Sequence, residues 1–162
     1  MSPVRPALAL LPLLAVLLVA APARAAAPPD TVGRVVRSDA DWKRLLTPQQ
    51  FDVLRRAGTE RAYTGAYWNE HRRGVYRCAG CGLELFRSAE KFDSGTGWPS
   101  FWKPAADRHV TRTADHTFGM ERIALECARC GGHLGHVFDD GPRPTGERYC
   151  INSAALRFVP GD

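Results

Sequence analysis

The chain has 162 residues, a length that suits one domain with a single hydrophobic core. Its 22 Lys and Arg outnumber its 17 Asp and Glu, so the formal net charge is +5. This charge is modest and no run of basic residues forms a patch, which argues against a nucleic-acid-binding protein.

The first 25 residues have the pattern of an export signal. Arg5 supplies a positive start, residues 7–20 are apolar, and residues 23–25 match the small-x-small cleavage pattern. A membrane anchor is the alternative, but Pro12 interrupts the run, which is shorter than the ~20 apolar residues of a spanning helix. We therefore predict that residues 1–25 are a cleaved signal peptide.

Cleavage would leave about 137 residues. Because Arg5 and Arg24 are lost, 20 basic residues would face 17 acidic ones, a formal charge of +3. Residues 26–37 begin with alanine and proline and are expected to form a mobile leader, and residues 38–162 the functional domain. We expect an exported protein, periplasmic in a bacterium, that does not insert into the membrane after cleavage. The lack of heptads predicts a monomer.

Two short helices are predicted at the start of the domain. Segment 38–46 has apolar residues at helical spacing, with Ser38 in the N-cap position. Segment 47–58 starts with Thr47, followed by a proline at the first helical position and a glutamine that completes a capping box. Gly58 is expected to end this second helix.

After Gly58 the pattern changes to short strands separated by glycine and proline. The predicted strands are GVYRC (74–78), LELF (83–86), MERIALEC (120–127), HVF (136–138) and RYCINS (148–153). In the third of these, Ile123, Leu125 and Cys127 alternate with other residues, as in a half-buried strand. No βαβ rhythm appears, so the predicted fold class is mostly β (α+β), antiparallel, with short N-terminal helices.

Four of the five cysteines form two CxxC pairs, Cys78 with Cys81 and Cys127 with Cys130, each followed by glycine. Two intervening residues let one tight turn direct both sulfurs at a single ion. Two such turns make a closed tetrahedral site of four thiolates. The spacing therefore predicts one structural zinc ion per chain, which would link the two strands that end at Cys78 and Cys127.

Disulfides are the alternative, since exported proteins meet oxidising surroundings. A disulfide within CxxC would close a very small loop and contribute little chain-entropy stabilisation. A redox-active CxxC is a further alternative, although neither pair opens a helix in a βαβ unit.

The fifth cysteine, Cys150, stands alone on a predicted strand. Side chains alternate along a strand, so Arg148, Cys150 and Asn152 would share one face. A nearby guanidinium favours the thiolate, which is the nucleophilic form. An inert buried cysteine is the alternative, and composition by itself favours it.

Two further motifs carry candidate functional side chains. In CGGHLGHVFDDGP, His133 and His136 lie in a predicted glycine-bracketed bend and could donate protons or hold a water. In FDSGTGWPSFW, Trp98 lies between glycine and proline and could form a wall of an apolar pocket. Each could instead be an ordinary core or surface residue, and the two histidines could bind metal.

Three segments together, FDSGTGWPSF, CGGHLGHVFDDGP and GERYCINSAALRF, with the two CxxC pairs, resemble the B-type peptide-methionine (R)-S-oxide reductases. The resemblance extends from about residue 38 to Phe158. It implies two antiparallel sheets stapled by a four-cysteine zinc site, with short N-terminal helices. It also implies reduction of the R epimer of methionine sulfoxide in oxidised proteins and peptides.

Carried over by position, the resemblance implies a role for each motif residue. Cys150 would attack the sulfoxide and become a sulfenic acid, with His133 or His136 protonating the oxygen. Trp98, Arg148 and Asn152 would bind the substrate. The four CxxC cysteines would hold the zinc ion.

Thr96 stands where many members of that family have a second cysteine. We therefore expect a one-cysteine cycle, in which a small thiol or a thioredoxin-like partner reduces Cys150. The competing class is a zinc-stapled β module that binds a protein or nucleic acid without catalysis. Such a module would not require Cys150, Arg148 and the two histidines.

Overall fold

A computed structural model describes residues 32–161 of the chain. The predicted signal peptide and the start of the predicted leader lie outside the described residues, so they stay predictions. Residues 32–37 form neither helix nor strand, and the Val35 N–H donates to the Arg129 carbonyl oxygen at 2.8 Å. Within residues 32–161, no helix is both long and apolar enough to cross a membrane.

Two helices, α1 (Asp39–Leu45) and α2 (Pro48–Arg56), begin at the predicted caps. The Ser38 hydroxyl accepts the Asp41 N–H, and the Thr47 hydroxyl accepts the Gln50 N–H, as capping boxes require. The predicted end of α2 is one residue late, because Ala57 rather than Gly58 adopts the left-handed conformation, with a φ of 55°. Both helices bury an apolar face against the domain.

Nine strands are present in the described part of the chain, and all their pairings are antiparallel. They are β1 (Gly74–Cys78), β2 (Glu84–Arg87), β3 (Lys91–Phe92), β4 (Ser100–Phe101), β5 (Val110–Asp115), β6 (Arg122–Cys127), β7 (His133–Phe138), β8 (Arg148–Ile151) and β9 (Leu156–Pro160). One sheet has the order β2-β1-β9, and the other has the order β3-β4-β8-β7-β6-β5. The predicted fold class is confirmed.

Aromatic rings fill the space between the two sheets. Phe86 of β2 stacks on Phe101 of β4 with ring centroids 4.5 Å apart, and Tyr76 of β1 meets Phe101 edge-on at 5.0 Å. Phe86 also lies 6.0 Å from the Tyr149 ring of β8. These contacts pack β8, which carries Cys150, and its neighbour β4 against the smaller sheet.

Two strand predictions need correction. Residues 133–136 form the first part of β7 rather than a bend. Gly135 instead lets the backbones of β7 and β8 lie close together, because a Cβ at this position would be 2.0 Å from the Cys150 carbonyl oxygen of β8. In β6, Leu125 and Cys127 are buried as expected, but Ile123 near the strand start is 38 % exposed.

Candidate active site and cysteine cluster

The register of the larger sheet brings Cys150 next to one of the predicted histidines. Cys150 of β8 pairs directly with His136 of β7 on one side and with Ser100 of β4 on the other. Directly opposed residues of an antiparallel pair project to the same face. The thiol and the imidazole are therefore neighbours, although 14 positions separate them in the sequence.

A cavity of about 130 Å³ opens beside Cys150. Its lining includes Trp98, Arg122, His136, Phe138, Cys150 and Asn152. Four predicted site residues thus meet at one cavity. Two others, His133 and Arg148, are not part of its lining.

Burial is the largest influence on the Cys150 thiol and raises its pKa above the ordinary value. Hydrogen bonds from Thr96 and Ser100 and the charge of Arg148 act in the opposite direction, but they do not outweigh burial. The expected thiolate-stabilising effect of Arg148 is therefore present but insufficient. At neutral pH the resting side chain is a thiol, and its proton must leave during the reaction.

Arg148 has a carboxylate partner that the sequence analysis did not include. Its Nε and Nη2 donate to the two carboxylate oxygens of Asp140, both at 2.8 Å. Its guanidinium carbon also lies 4.4 Å from the centre of the Phe138 ring, which lines the cavity. The Asp140 carboxylate offsets part of the positive charge of Arg148.

A carboxylate orients His136 as well. The His136 Nε2 and the Asp115 Oδ2 are 2.7 Å apart, and the Arg122 Nη2 donates to that same oxygen at 2.7 Å. Hydrogen bonds from Thr117, together with these two contacts, hold the pKa of Asp115 well below its usual range. A neutral His136 that donates from Nε2 leaves Nδ1 as an acceptor, and a protonated one leaves Nδ1–H as a donor. In either state Nδ1 can make one further hydrogen bond.

His133 has a different environment from the one expected. It is buried, its Nε2 has no hydrogen-bond partner, and its ring centre lies 5.3 Å from that of His136. Burial, aided by the neighbouring His136, lowers the pKa of His133 to about 4. It is therefore neutral at pH 7, and of the two histidines His136 is the one that lines the cavity.

Trp98 and Asn152 are both held by Glu60, a residue that the sequence analysis did not select. The indole Nε1 of Trp98 donates to the Glu60 carbonyl at 3.2 Å, and the Glu60 N–H donates to Asn152 Oδ1 at 3.0 Å. Asn152 lies just after β8, not on it as predicted. No local pattern could have selected Glu60, Asp115 or Arg122, because their contacts with the site are long-range.

The four CxxC cysteines converge on one point. Their sulfur atoms all lie within 4.8 Å of one another. The Sγ atoms of Cys78 and Cys130 are 3.7 Å apart, and those of Cys81 and Cys127 are 3.5 Å apart. These separations exceed the ~2.05 Å of a disulfide. They approach the ~3.8 Å edge of a sulfur tetrahedron around a metal bonded at ~2.3 Å.

The two CxxC turns have the same hydrogen-bond pattern. The Cys78 N–H donates to the Leu83 carbonyl, and the Cys127 N–H donates to the Gly132 carbonyl, both at 2.8 Å. One turn follows β1 of the smaller sheet and the other follows β6 of the larger sheet. A metal ion held here would join the two sheets. The donor set fits such an ion, and none of these cysteines lines the cavity.

A partly exposed thiol beside an oriented histidine, in the wall of a small cavity, is the arrangement of an enzyme that acts through a cysteine. Residues 46–160 match the family model of the SelR domain. The chain is 56% identical over 124 residues to the peptide methionine sulfoxide reductase MsrB of Leptospira interrogans, covering 76% of this chain and 95% of that protein. It is 55% identical over 130 residues to the protein of the same name from Agrobacterium fabrum, covering 80% and 96%.

A third relative carries the same name. Over 126 residues the chain is 52% identical to the peptide methionine sulfoxide reductase MsrB of Methanosarcina mazei, covering 78% of this chain and 90% of that protein. The chain therefore belongs to the MsrB family of peptide methionine sulfoxide reductases, which are oxidoreductases. The family resemblance found in the sequence is confirmed.

Proposed function

We propose that this chain reduces the R epimer of peptide methionine sulfoxide to methionine and that Cys150 carries the oxygen away as a sulfenic acid. The observation that carries the proposal is the pairing of Cys150 with His136 across two strands at the cavity wall. Membership of the MsrB family supports the substrate class.

The reaction balances with one thiol and one sulfoxide. The Cys150 sulfur supplies two electrons, the sulfur–oxygen bond of the substrate breaks, and one oxygen ends on Cys150 as S–OH. Cys150 gives up its thiol proton and the transferred oxygen gains one. His136, which Asp115 keeps in a fixed orientation, relays this proton from sulfur to oxygen, so that no proton is gained or lost overall. The products are methionine and the Cys150 sulfenic acid.

Epimer selectivity would come from the unlike walls of the cavity. Trp98 and Phe138 offer apolar surface to the substrate methyl group, while Asn152, Arg122 and His136 are polar. Exchanging methyl and oxygen would bury the polar oxygen against an aromatic ring, which costs about 1 to 3 kcal/mol. The R epimer is the one that the family resemblance assigns.

The test is consumption of separate R and S epimers of a blocked methionine sulfoxide peptide by the protein with excess dithiothreitol. We expect methionine from the R epimer at a rate at least about fivefold above that from the S epimer, as a difference of ~1 kcal/mol predicts. Consumption of neither epimer would favour a non-catalytic binding module. Equal consumption of both epimers would contradict the proposed role of the cavity walls in epimer selectivity.

We also propose that the cycle uses a single cysteine and an external reductant, a small thiol or a thioredoxin-like protein. Thr96 lies beside the thiol, with its Oγ1 3.9 Å from the Cys150 Sγ. Every other cysteine belongs to the CxxC cluster. After one turnover without reductant, intact-mass analysis should therefore find no internal disulfide.

Thr96→Cys is the matched comparison, because it places a second sulfur where the hydroxyl now lies. This variant should form a disulfide between residues 96 and 150 after one turnover and lose two hydrogens in mass. A disulfide from Cys150 to a cluster cysteine in the native protein would contradict the one-cysteine cycle.

We further propose that the ion in the cysteine cluster is zinc. Four thiolates in a closed tetrahedral arrangement are typical of structural zinc. When bound, the ion supplies no chemistry to the substrate and only joins the two sheets.

A further inference from the structure

Glu60 is a buried carboxylate in the segment between α2 and β1, and it is only 5 % exposed. Its Oε1 accepts the Ser153 N–H at 2.6 Å, and its Oε2 accepts the Ala154 N–H at 2.9 Å. Both donors lie immediately after Asn152, in the short turn that follows the Cys150 strand. Both carboxylate oxygens thus fix the Glu60 side chain to the turn that follows Asn152.

The backbone of the same residue holds two walls of the cavity. Its N–H donates to Asn152 Oδ1, and its carbonyl accepts the Trp98 indole N–H. Trp98 and Asn152 come from different segments of the chain and are joined through Glu60. Movement of the Glu60 carboxylate would therefore displace both an apolar and a polar wall.

The position of the carboxylate is also set sterically. A Cβ at Gly65 would lie 2.3 Å from Glu60 Oε1 and 2.4 Å from Ser153 Oγ, so no larger residue fits without displacing the carboxylate. Burying a charge is costly, and a well-packed apolar residue often serves stability equally well. A buried charge with two directed contacts is therefore better explained by a need for fixed geometry.

We propose that Glu60 is a positioning residue for sulfoxide reduction, which sets epimer selectivity by fixing Trp98 and Asn152 relative to each other. This inference rests on the proposed function. Glu60 does not line the cavity, so it acts through the two residues that do.

Glu60→Gln tests the inference, because it keeps the side-chain shape but turns one acceptor into an NH₂ group facing a backbone N–H. We expect the KM for the R epimer to rise about tenfold and the R-to-S ratio of kcat/KM to fall by a similar factor. The rate at which iodoacetamide alkylates Cys150 should stay within twofold of native, because Thr96, Ser100 and Arg148, which act on the thiol, lie outside the Glu60 contacts. A merely structural role would not separate these readouts.

Glu70→Gln is the matched control, since Glu70 lies ten residues later and pairs with Arg72 away from the cavity. It should match the native protein in every readout. Gly65→Ala disturbs the same carboxylate by a different route, because its Cβ would crowd Glu60 Oε1. It should raise the KM for the R epimer and lower the R-to-S ratio, as Glu60→Gln does.

The outcomes separate the inference from the proposed function. If the native protein reduces neither epimer, the proposed function fails and the inference with it. If the native protein prefers the R epimer and Glu60→Gln shows the same KM and ratio, only the inference is overturned. It is also overturned if both Glu60→Gln and Gly65→Ala fail to fold, because Glu60 would then be needed for the fold rather than for positioning.

Discussion

Replacing Cys150 by serine should lower the rate of methionine sulfoxide reduction by about 10⁴-fold or more, down to background. A serine hydroxyl stays protonated near neutral pH and cannot be oxidised to the equivalent of a sulfenic acid. Because a single sulfur atom changes to oxygen at a partly exposed position, the fold should be unaffected. Turnover is measured as methionine released per chain with dithiothreitol as reductant.

The controls for Cys150→Ser are two properties that do not depend on catalysis. Metal content and melting temperature should equal those of the native protein, because Cys150 lies outside the cysteine cluster. Reduction of the R epimer at a tenth of the native rate or more would show that Cys150 is not the nucleophile.

Cys81→Ser should lose the metal and much of the protein's stability, both of which Cys150→Ser should keep. Removing one of four thiolates breaks the closed site that joins the two sheets. We expect the free energy of unfolding to fall by about 5 kcal/mol or more. That corresponds to a melting temperature lower by about 15 °C or more for a domain of this size.

Metal analysis of the native protein should find one zinc ion per chain, and Cys81→Ser should hold far less. Cys150→Ser is the matched control, as it changes a cysteine to serine elsewhere in the chain. The zinc proposal is wrong if the native protein contains no zinc, or if Cys81→Ser melts at the native temperature.

Elements with local causes were predicted well from sequence. The two helices begin where Ser38 and Thr47 can accept hydrogen bonds from the first turn, and that signal lies within a few residues. The CxxC turns are equally local, since two intervening residues are enough to define each one. Cys150 could be selected because it is the cysteine left unpaired.

Features that depend on contacts between residues far apart in the sequence were not predicted. Strands β3 and β4 have two residues each, too few for any periodic pattern, and they form because β4 pairs with β8 and β3 pairs with β4. The pairing of His136 with Asp115 joins residues on β7 and at the end of β5. Glu60 meets Asn152 across 92 positions of the chain.

The influences on the Cys150 pKa were predicted only in part from the sequence. Strand alternation placed Arg148 near the thiol and suggested a stabilised thiolate. Arg148 does act in that direction, but burial opposes it in the folded protein and raises the pKa of Cys150, and the guanidinium also has a carboxylate partner in Asp140. Neither burial nor this ion pair can be read from neighbouring residues in the sequence.

The most direct test of the Cys150 mechanism is a single turnover of the reduced protein with one equivalent of the R epimer and no reductant. We expect one methionine per chain and a gain of one oxygen on the peptide that contains Cys150, trapped with a reagent selective for sulfenic acids. Formation of methionine while Cys150 remains an unmodified thiol would contradict the account.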